Sequence, residues 1–155
     1  MNEKFTIENP KVGNVIICDF LGLKLKKIKL PFGDQEAGKE IQVLDTKGTP
    51  FEFCDGYQLE HLKFHSSYDW IIPVWQYIRG IENDSVVVDE CTITTTKSII
   101  KALPIPYSKG KSFISFYMTT DFNIDLNVVI WLTVIEFIKW YKEQMNEYHG
   151  DYTDA

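Results

Sequence analysis

The chain has 155 residues, 45% hydrophobic and 25% charged, the balance of one folded domain with a core of its own. Its formal net charge of −6 argues against a duplex nucleic-acid binder that works through a broadly basic surface, because phosphate neutralisation dominates that affinity. Three widely spaced cysteines, Cys18, Cys54 and Cys91, make no disulfide framework and suit a reducing compartment.

The opening, MNEKFTIENPKVGN, has no basic segment followed by an apolar run, so no signal peptide is expected and residues 1–12 read as a polar arm. NVIICDFLGLKLKKIKL (14–30) is rich in apolar residues. Its second part, Leu23-Lys24-Leu25-Lys26, alternates as a strand with one wet face does. Lys27 interrupts the alternation, and a bulge or turn there would restore the facing. PFGDQEAGKE (31–40) reads as a loop, EIQVLD as a short strand, DTKG as a turn and TPFEFCDGY as a second strand-like run.

FHSSYDWIIPVWQYI (64–78) carries a helix start. Ser66 and Asp69 have the spacing of a capping box, and Asp69 suits the positive end of the helix dipole. Pro73 is tolerated best within the first turn, where its missing N–H would be unpaired anyway. The helix is therefore expected from Ser67–Asp69 to about Gly80. Trp70, Val74 and Tyr77, with Ile71, Ile78 and Ile81, form its apolar face.

SVVVDECTITTTKSII (85–100) is dense in β-branched residues and predicts one long strand or two short ones. LPIPYSKGKS is a connection and FISFYMTT (113–120) another strand. Asp121 or Asp125 caps a C-terminal helix over about 125–146, with a frayed tail over 148–155. Leu126, Val129, Ile130, Phe137, Trp140 and Tyr141 make one apolar face of this helix. Val128, Trp131, Leu132, Ile135 and Ile138 fill most of the rest. Only Glu136, Lys139 and Glu143 form a polar stripe. Such a helix is buried by more than one neighbour, which is the sheet plus the first helix or a second copy of the chain. It also contains charge and is too short in its apolar run to span a membrane. The expected fold is a single α+β domain, with a largely antiparallel sheet of about four to six strands packed against two helices, at about 68–80 and 125–146.

Several motifs invite chemistry and stop short of it. His61 and His65 have a metal-compatible spacing, but Leu62 stands where a zinc-protease helix needs Glu, and no second ligand pair follows. GKS at 110–112 lacks the phosphate-loop glycine, that position being Ile105. No G-x-S-x-G elbow is present. No catalytic residue, metal or cofactor is assigned. The ribbon Lys24, Lys26, Lys27, Lys29 reads as a wet edge strand guarded by lysine, or as an anion-binding face. Trp70 and Trp75, five apart, point to different sides of a helix and cannot clamp one base. The candidate ligand-binding residues are Lys24, Lys26, Lys29, His65, Tyr68 and Trp70.

VIICDFLGLK, FHSSYDWIIPVWQYI and LNVVIWLTVIEFIKWYKEQ, in that order, resemble a group of small proteins of Bacteroidetes and their phages. Members pair a "hydrophobic–acidic–F–hG" opening with a histidine–serine–Trp-Asp-Trp-like helix start and a "VVEFI-WYN"-like final helix. Tyr68 stands here where the first Trp is usual. The group has no established activity, so no residue role is carried over. The resemblance implies a bacterial host cytoplasm during phage infection. The expected function is that of a non-enzymatic accessory protein, acting by binding a nucleotide-like small molecule or a host protein and so counteracting host defence, with self-association through the C-terminal helix left open. A small hydrolase or nucleotide-modifying enzyme using His61, His65 or Asp69 is the alternative, and a structural or regulatory phage protein is the third.

Overall fold

A computed structural model describes residues 9–29, 38–83, 85–104, 114–120 and 124–154, with side chains to residue 145 in the last segment. The chain is α+β. Among the described residues it has three α-helices, and five strands form two antiparallel sheets of two and three strands rather than one larger sheet.

The first helix, α1 (Pro10–Leu21), lies where an arm and an unassigned apolar run were expected. Pro10 opens it at a position where a missing N–H is harmless. Gly13, Asn14, Ile17 and Cys18 fall on one buried face, a helical spacing that the β-branched residues of NVIIC disguise as strand. Gly22, at φ 70°, ends the helix in a Schellman motif: its N–H donates to the Asp19 carbonyl at 3.1 Å, and that of Leu23 to Cys18 at 3.0 Å. Most of the expected arm lies outside the described residues.

β1 (Lys24–Lys29) pairs antiparallel with β2 (Glu40–Asp45) in unbroken register from Lys24↔Asp45 to Lys29↔Glu40. The bulge expected at Lys27 is absent. The loop expected between the strands lies mostly outside the described residues. TPFEFCDGY is not a strand. It folds as turns around a single 3-10 turn, Glu52–Cys54. Local side-chain bonds take the place of a ladder there. Gly48 N–H donates to Glu52 Oε1 at 2.7 Å, Thr46 N–H to Asp55 Oδ1 at 2.8 Å, and Phe51 N–H to Thr49 Oγ1 at 3.0 Å.

α2 (Tyr68–Arg79) has the expected bounds. Its cap is Ser67, however, with no side-chain cap bond, so the Ser66/Asp69 capping box does not form. Pro73 is the sixth helical residue, beyond the first turn, so the Asp69 carbonyl loses its helical donor. Asp69 is exposed, and water can serve that carbonyl instead. Trp70, Ile71, Val74, Trp75 and Ile78 are buried, whereas Tyr77, expected on the same face, is 47% exposed.

β3 (Val86–Ile93), β4 (Lys97–Pro104) and β5 (Ile114–Thr119) form the second sheet in that order, with a bulge between Val88 and Glu90. The β-branched run thus makes two strands, and β4 continues through Leu103 and Pro104, which were expected in a connection. α3 (Leu126–Asp154) starts on Asp125, whose carbonyl accepts from Val128 and Val129; Asp121 lies outside the described residues. α3 runs on through residues expected to fray. It is the central element, with β4 and β5 packed on one side and α1 and α2 on others. Val129–Ile135, Phe137 and Ile138 are all buried within the one chain. Inside this core Ser98 of the sheet meets the helix through its hydroxyl, which lies 2.6 Å from Thr133 Oγ1 and 3.4 Å from the Val129 carbonyl oxygen.

Candidate functional site

The six residues singled out by sequence do not converge. Uninterrupted pairing sends Lys24 and Lys26 to one face of β1 and Lys27 and Lys29 to the other. Acid lies beside them: Asp45 is opposite Lys24 and 3.9 Å from the Lys26 ammonium, and Glu40 is opposite Lys29. Lys24 also lines a recess of about 500 Å³ with Lys47, Asp45 and Tyr77. Trp70 is only 6% exposed, enclosed edge-on by Phe53, Tyr57 and Phe64. Tyr68 is exposed at the start of α2. Among the described residues, no hydrogen bond, ion pair or ring contact joins the lysines to His65, Tyr68 or Trp70.

His65 belongs to a node that ties three segments together. Trp131, fully buried on α3, donates its indole N–H to Asn14 Oδ1 at 2.9 Å. An indole only donates, so the Asn14 oxygen must face it. The Asn14 amide nitrogen then donates to the Leu62 carbonyl at 3.2 Å and meets His65 Nδ1 at 3.0 Å. Nδ1 is therefore the acceptor and the proton sits on Nε2. Asn127, from the first turn of α3, donates to the His65 carbonyl at 3.0 Å. Burial lowers the His65 pKa, and protonating Nδ1 would set two donors against each other. The node holds α1, the turn before α2, and α3 in register. Sequence reasoning missed Asn14 and Asn127. The available signal was an amide placed within apolar helical runs.

The larger recess is elsewhere. A cleft of about 700 Å³ opens between Ile41 of β2 and the segment from Asp55 to Lys63. The chain reaches this position through a backbone clasp, in which Leu44 N–H donates to the Tyr57 carbonyl at 2.8 Å and Gly56 N–H to that of Leu44 at 2.9 Å. Gly56, at φ 84°, makes the turn that an L side chain resists. Tyr57 packs edge-on against Trp70 with ring centres 4.9 Å apart, so the buried tryptophan fixes the tyrosine at the cleft wall. The Lys63 ammonium lies 5.9 Å from the Tyr57 ring centre. His61, Gln58 and Asp55 complete the polar lining, with one Asp55 oxygen already taken up by the Thr46 N–H. The sequence offers His61 as an incomplete metal ligand and as a residue of the alternative enzyme reading, whereas Lys63 and Tyr57 carry no signal in it.

Thiol chemistry is disfavoured. All three cysteines are buried. Burial pushes the Cys18 thiol up to about 12, with Cys54 adding to it, and pushes Cys91 up to about 12 as well. Burial likewise raises Cys54 to about 11, so none is a thiolate near neutral pH. Among the described residues, no group of three His, Cys, Asp or Glu side chains is placed to hold a metal ion, and no helix is long and apolar enough to cross a membrane. No protein-family model, curated protein or solved structure matches the chain.

Proposed function

We propose that the protein works by binding rather than by catalysis, and that it takes a nucleotide-like anion in the cleft between Ile41 and the Asp55–Lys63 segment. The observation that carries this reading is the lining itself: the Tyr57 ring, the Lys63 ammonium and the His61 imidazole share one recess. An aromatic face held from behind by Trp70 suits stacking on a base, worth about 1–3 kcal/mol in comparable sites. Lys63 and His61 suit phosphate oxygens, and Gln58 offers donor and acceptor for a base edge. The volume is within the range of small-molecule sites. In the bacterial cytoplasm that the sequence resemblance implies, holding a nucleotide signal without consuming it would blunt a host defence that depends on that signal.

The test is calorimetric titration of the full chain with a panel of mononucleotides and dinucleotides, followed by recovery of the bound compound. Saturable binding, weakened at least tenfold by Lys63→Glu, with the nucleotide recovered intact, is the expected result. Turnover of the nucleotide, or binding indifferent to Lys63→Glu, would overturn the reading.

A further inference from the structure

We propose that the recess of about 500 Å³ at the Lys24–Asp45 end of the first sheet is a second ligand site, and that it takes a small aromatic phosphate. The recess shares no lining residue with the cleft around Tyr57. Its volume is within the range of small-molecule sites.

The end of α1, the start of β1, the turn after β2 and the last turn of α2 meet here, and the turns among them are tied down locally. Gly22, at φ 70°, leads the chain from α1 into β1, and its N–H and that of Leu23 take up the Asp19 and Cys18 carbonyls. Gly48, at φ 81°, turns the chain after β2, and Glu52 Oε1 holds its N–H at 2.7 Å. The Thr49 N–H and hydroxyl both donate to the Thr46 carbonyl, at 3.1 and 2.8 Å. A recess walled in this way is formed before a ligand arrives, so little ordering entropy is lost on binding.

The lining supplies a ring and two cations. Tyr77 meets Phe20 and Phe51 edge-on, with ring centres 5.5 and 6.1 Å away. Phe51 is buried, yet Tyr77 stays 47% exposed, although the sequence sets it on the apolar face of α2 with Trp70 and Val74. A ring anchored on other rings and open to a recess is a stacking surface. Lys24 and Lys47 are both exposed, and neither is within ion-pair distance of an acid among the described residues. Asp45 is the one carboxylate among the described lining residues, and its Oδ1 is engaged 3.9 Å from the Lys26 ammonium. The recess therefore presents positive charge beside an aromatic face. Ammonium groups bind phosphate as compact point charges, and two of them suit a dianion. A ring without the acid group leaves the lysines unused, and a phosphate without the ring leaves Tyr77 unused, so tight binding needs both.

The test is a magnetic-resonance titration of the isotope-labelled full chain with phenyl phosphate, inorganic phosphate and benzylamine. Gly22 and Gly48 line this recess and their amides report on it, whereas Gly56 reports on the cleft around Tyr57. Phenyl phosphate should shift the Gly22 and Gly48 signals saturably, at least tenfold more tightly than inorganic phosphate, and benzylamine should not shift them. Lys47→Glu, in an exposed turn, should weaken phenyl phosphate at least tenfold, and Lys24→Gln should weaken it in the same direction. Lys63→Glu, at the other cleft, should leave these shifts unchanged, so the two sites stand or fall separately. Inorganic phosphate binding as tightly as phenyl phosphate would remove Tyr77 from the site, and indifference to both lysine variants would remove the cations. Either result, or no saturable shift at Gly22 and Gly48, would overturn the proposal.

Discussion

At Gly13 α1 packs directly against Trp131 and Ile135 of α3, and replacing it tests how rigid that contact is. A Cβ built at Gly13 stands 2.5 Å from Ile135 Cδ1 and closer still to Trp131 Cζ2. Neither neighbour is free to retreat. Ile135 and Trp131 are fully buried, and Trp131 is pinned by its bond to Asn14. Overpacking of this kind costs about 1–3 kcal/mol. Alanine returns about 0.5–1 kcal/mol through its better helix propensity. Both contacts are far under 3.0 Å, so the upper part of the overpacking range, about 2–3 kcal/mol, applies, and the net for Gly13→Ala is a loss of about 1–2.5 kcal/mol, or roughly 3–7 °C in Tm for a domain of this size. Gly80→Ala is the control. Its Cβ meets only Tyr77 and Gln76 carbonyl oxygens at 3.7 and 3.9 Å, and its φ of −88° suits any residue. That variant should be neutral or gain about 0.4–1 kcal/mol. Thermal melts followed by circular dichroism decide the matter. An unchanged or raised Tm in Gly13→Ala would show that Trp131 shifts freely, and the account of α1 packing would fail.

Three further outcomes follow from the same geometry. Asn14→Leu should leave the Trp131 N–H and the Leu62 carbonyl without partners inside the core, lowering stability by about 2–4 kcal/mol in urea titrations. Because burial lowers the His65 pKa in the folded state, its contribution is complete above the ordinary value of 6.5 and is lost as pH falls from there toward the lowered value. The urea midpoint should therefore drop across that window in the wild type and drop less in His65→Gln. Cys18, Cys54 and Cys91 should resist a thiol reagent in the native protein and react together in denaturant; fast native labelling of any one would contradict their burial.

The long C-terminal helix was legible because its apolar residues exceed what any strand holds, and α2 because serine, acid and glycine bracket a helical stripe. α1 was not. Val15, Ile16 and Ile17 are strand formers by local preference, and it is the helical face of Gly13, Asn14, Ile17 and Cys18 that is buried, while Val15 stays exposed. TPFEFCDGY misled for the opposite reason: Phe51, Phe53 and Cys54 look like a strand, yet Thr49, Glu52 and Asp55 offer the backbone nearer partners. Lys29 was misplaced relative to Lys24 and Lys26 because a lysine at an odd position suggested a bulge, whereas a strand wet on both sides tolerates either facing. The cleft was the least legible feature. Tyr57, His61 and Lys63 come together through a backbone clasp to Leu44 that leaves no pattern in the sequence.

The residues that look unusual in the sequence and the residues with unspent capacity are different sets, and that difference can be measured. His65, Trp70 and Trp131 drew attention, or deserved it, yet each is enclosed: His65 by Asn14 and Asn127, Trp131 by Asn14, and Trp70 by three aromatic rings. Changing them should act on folding. His61 and Lys63 are exposed, and Lys63 makes only a long contact with the Tyr57 face. Exposed polar changes away from caps and buried networks are usually within about 0.5 kcal/mol. His61→Ala and Lys63→Glu should therefore melt with the wild type while losing nucleotide affinity. His65→Ala leaves the Asn14 amide and a void beside Trp131, and should melt lower while its remaining folded fraction binds normally. The two readouts separate the architecture from the function. If instead Lys63→Glu melted low and still bound, the cleft would be a structural seam, and the reading of this protein as a nucleotide-binding one would lose its footing.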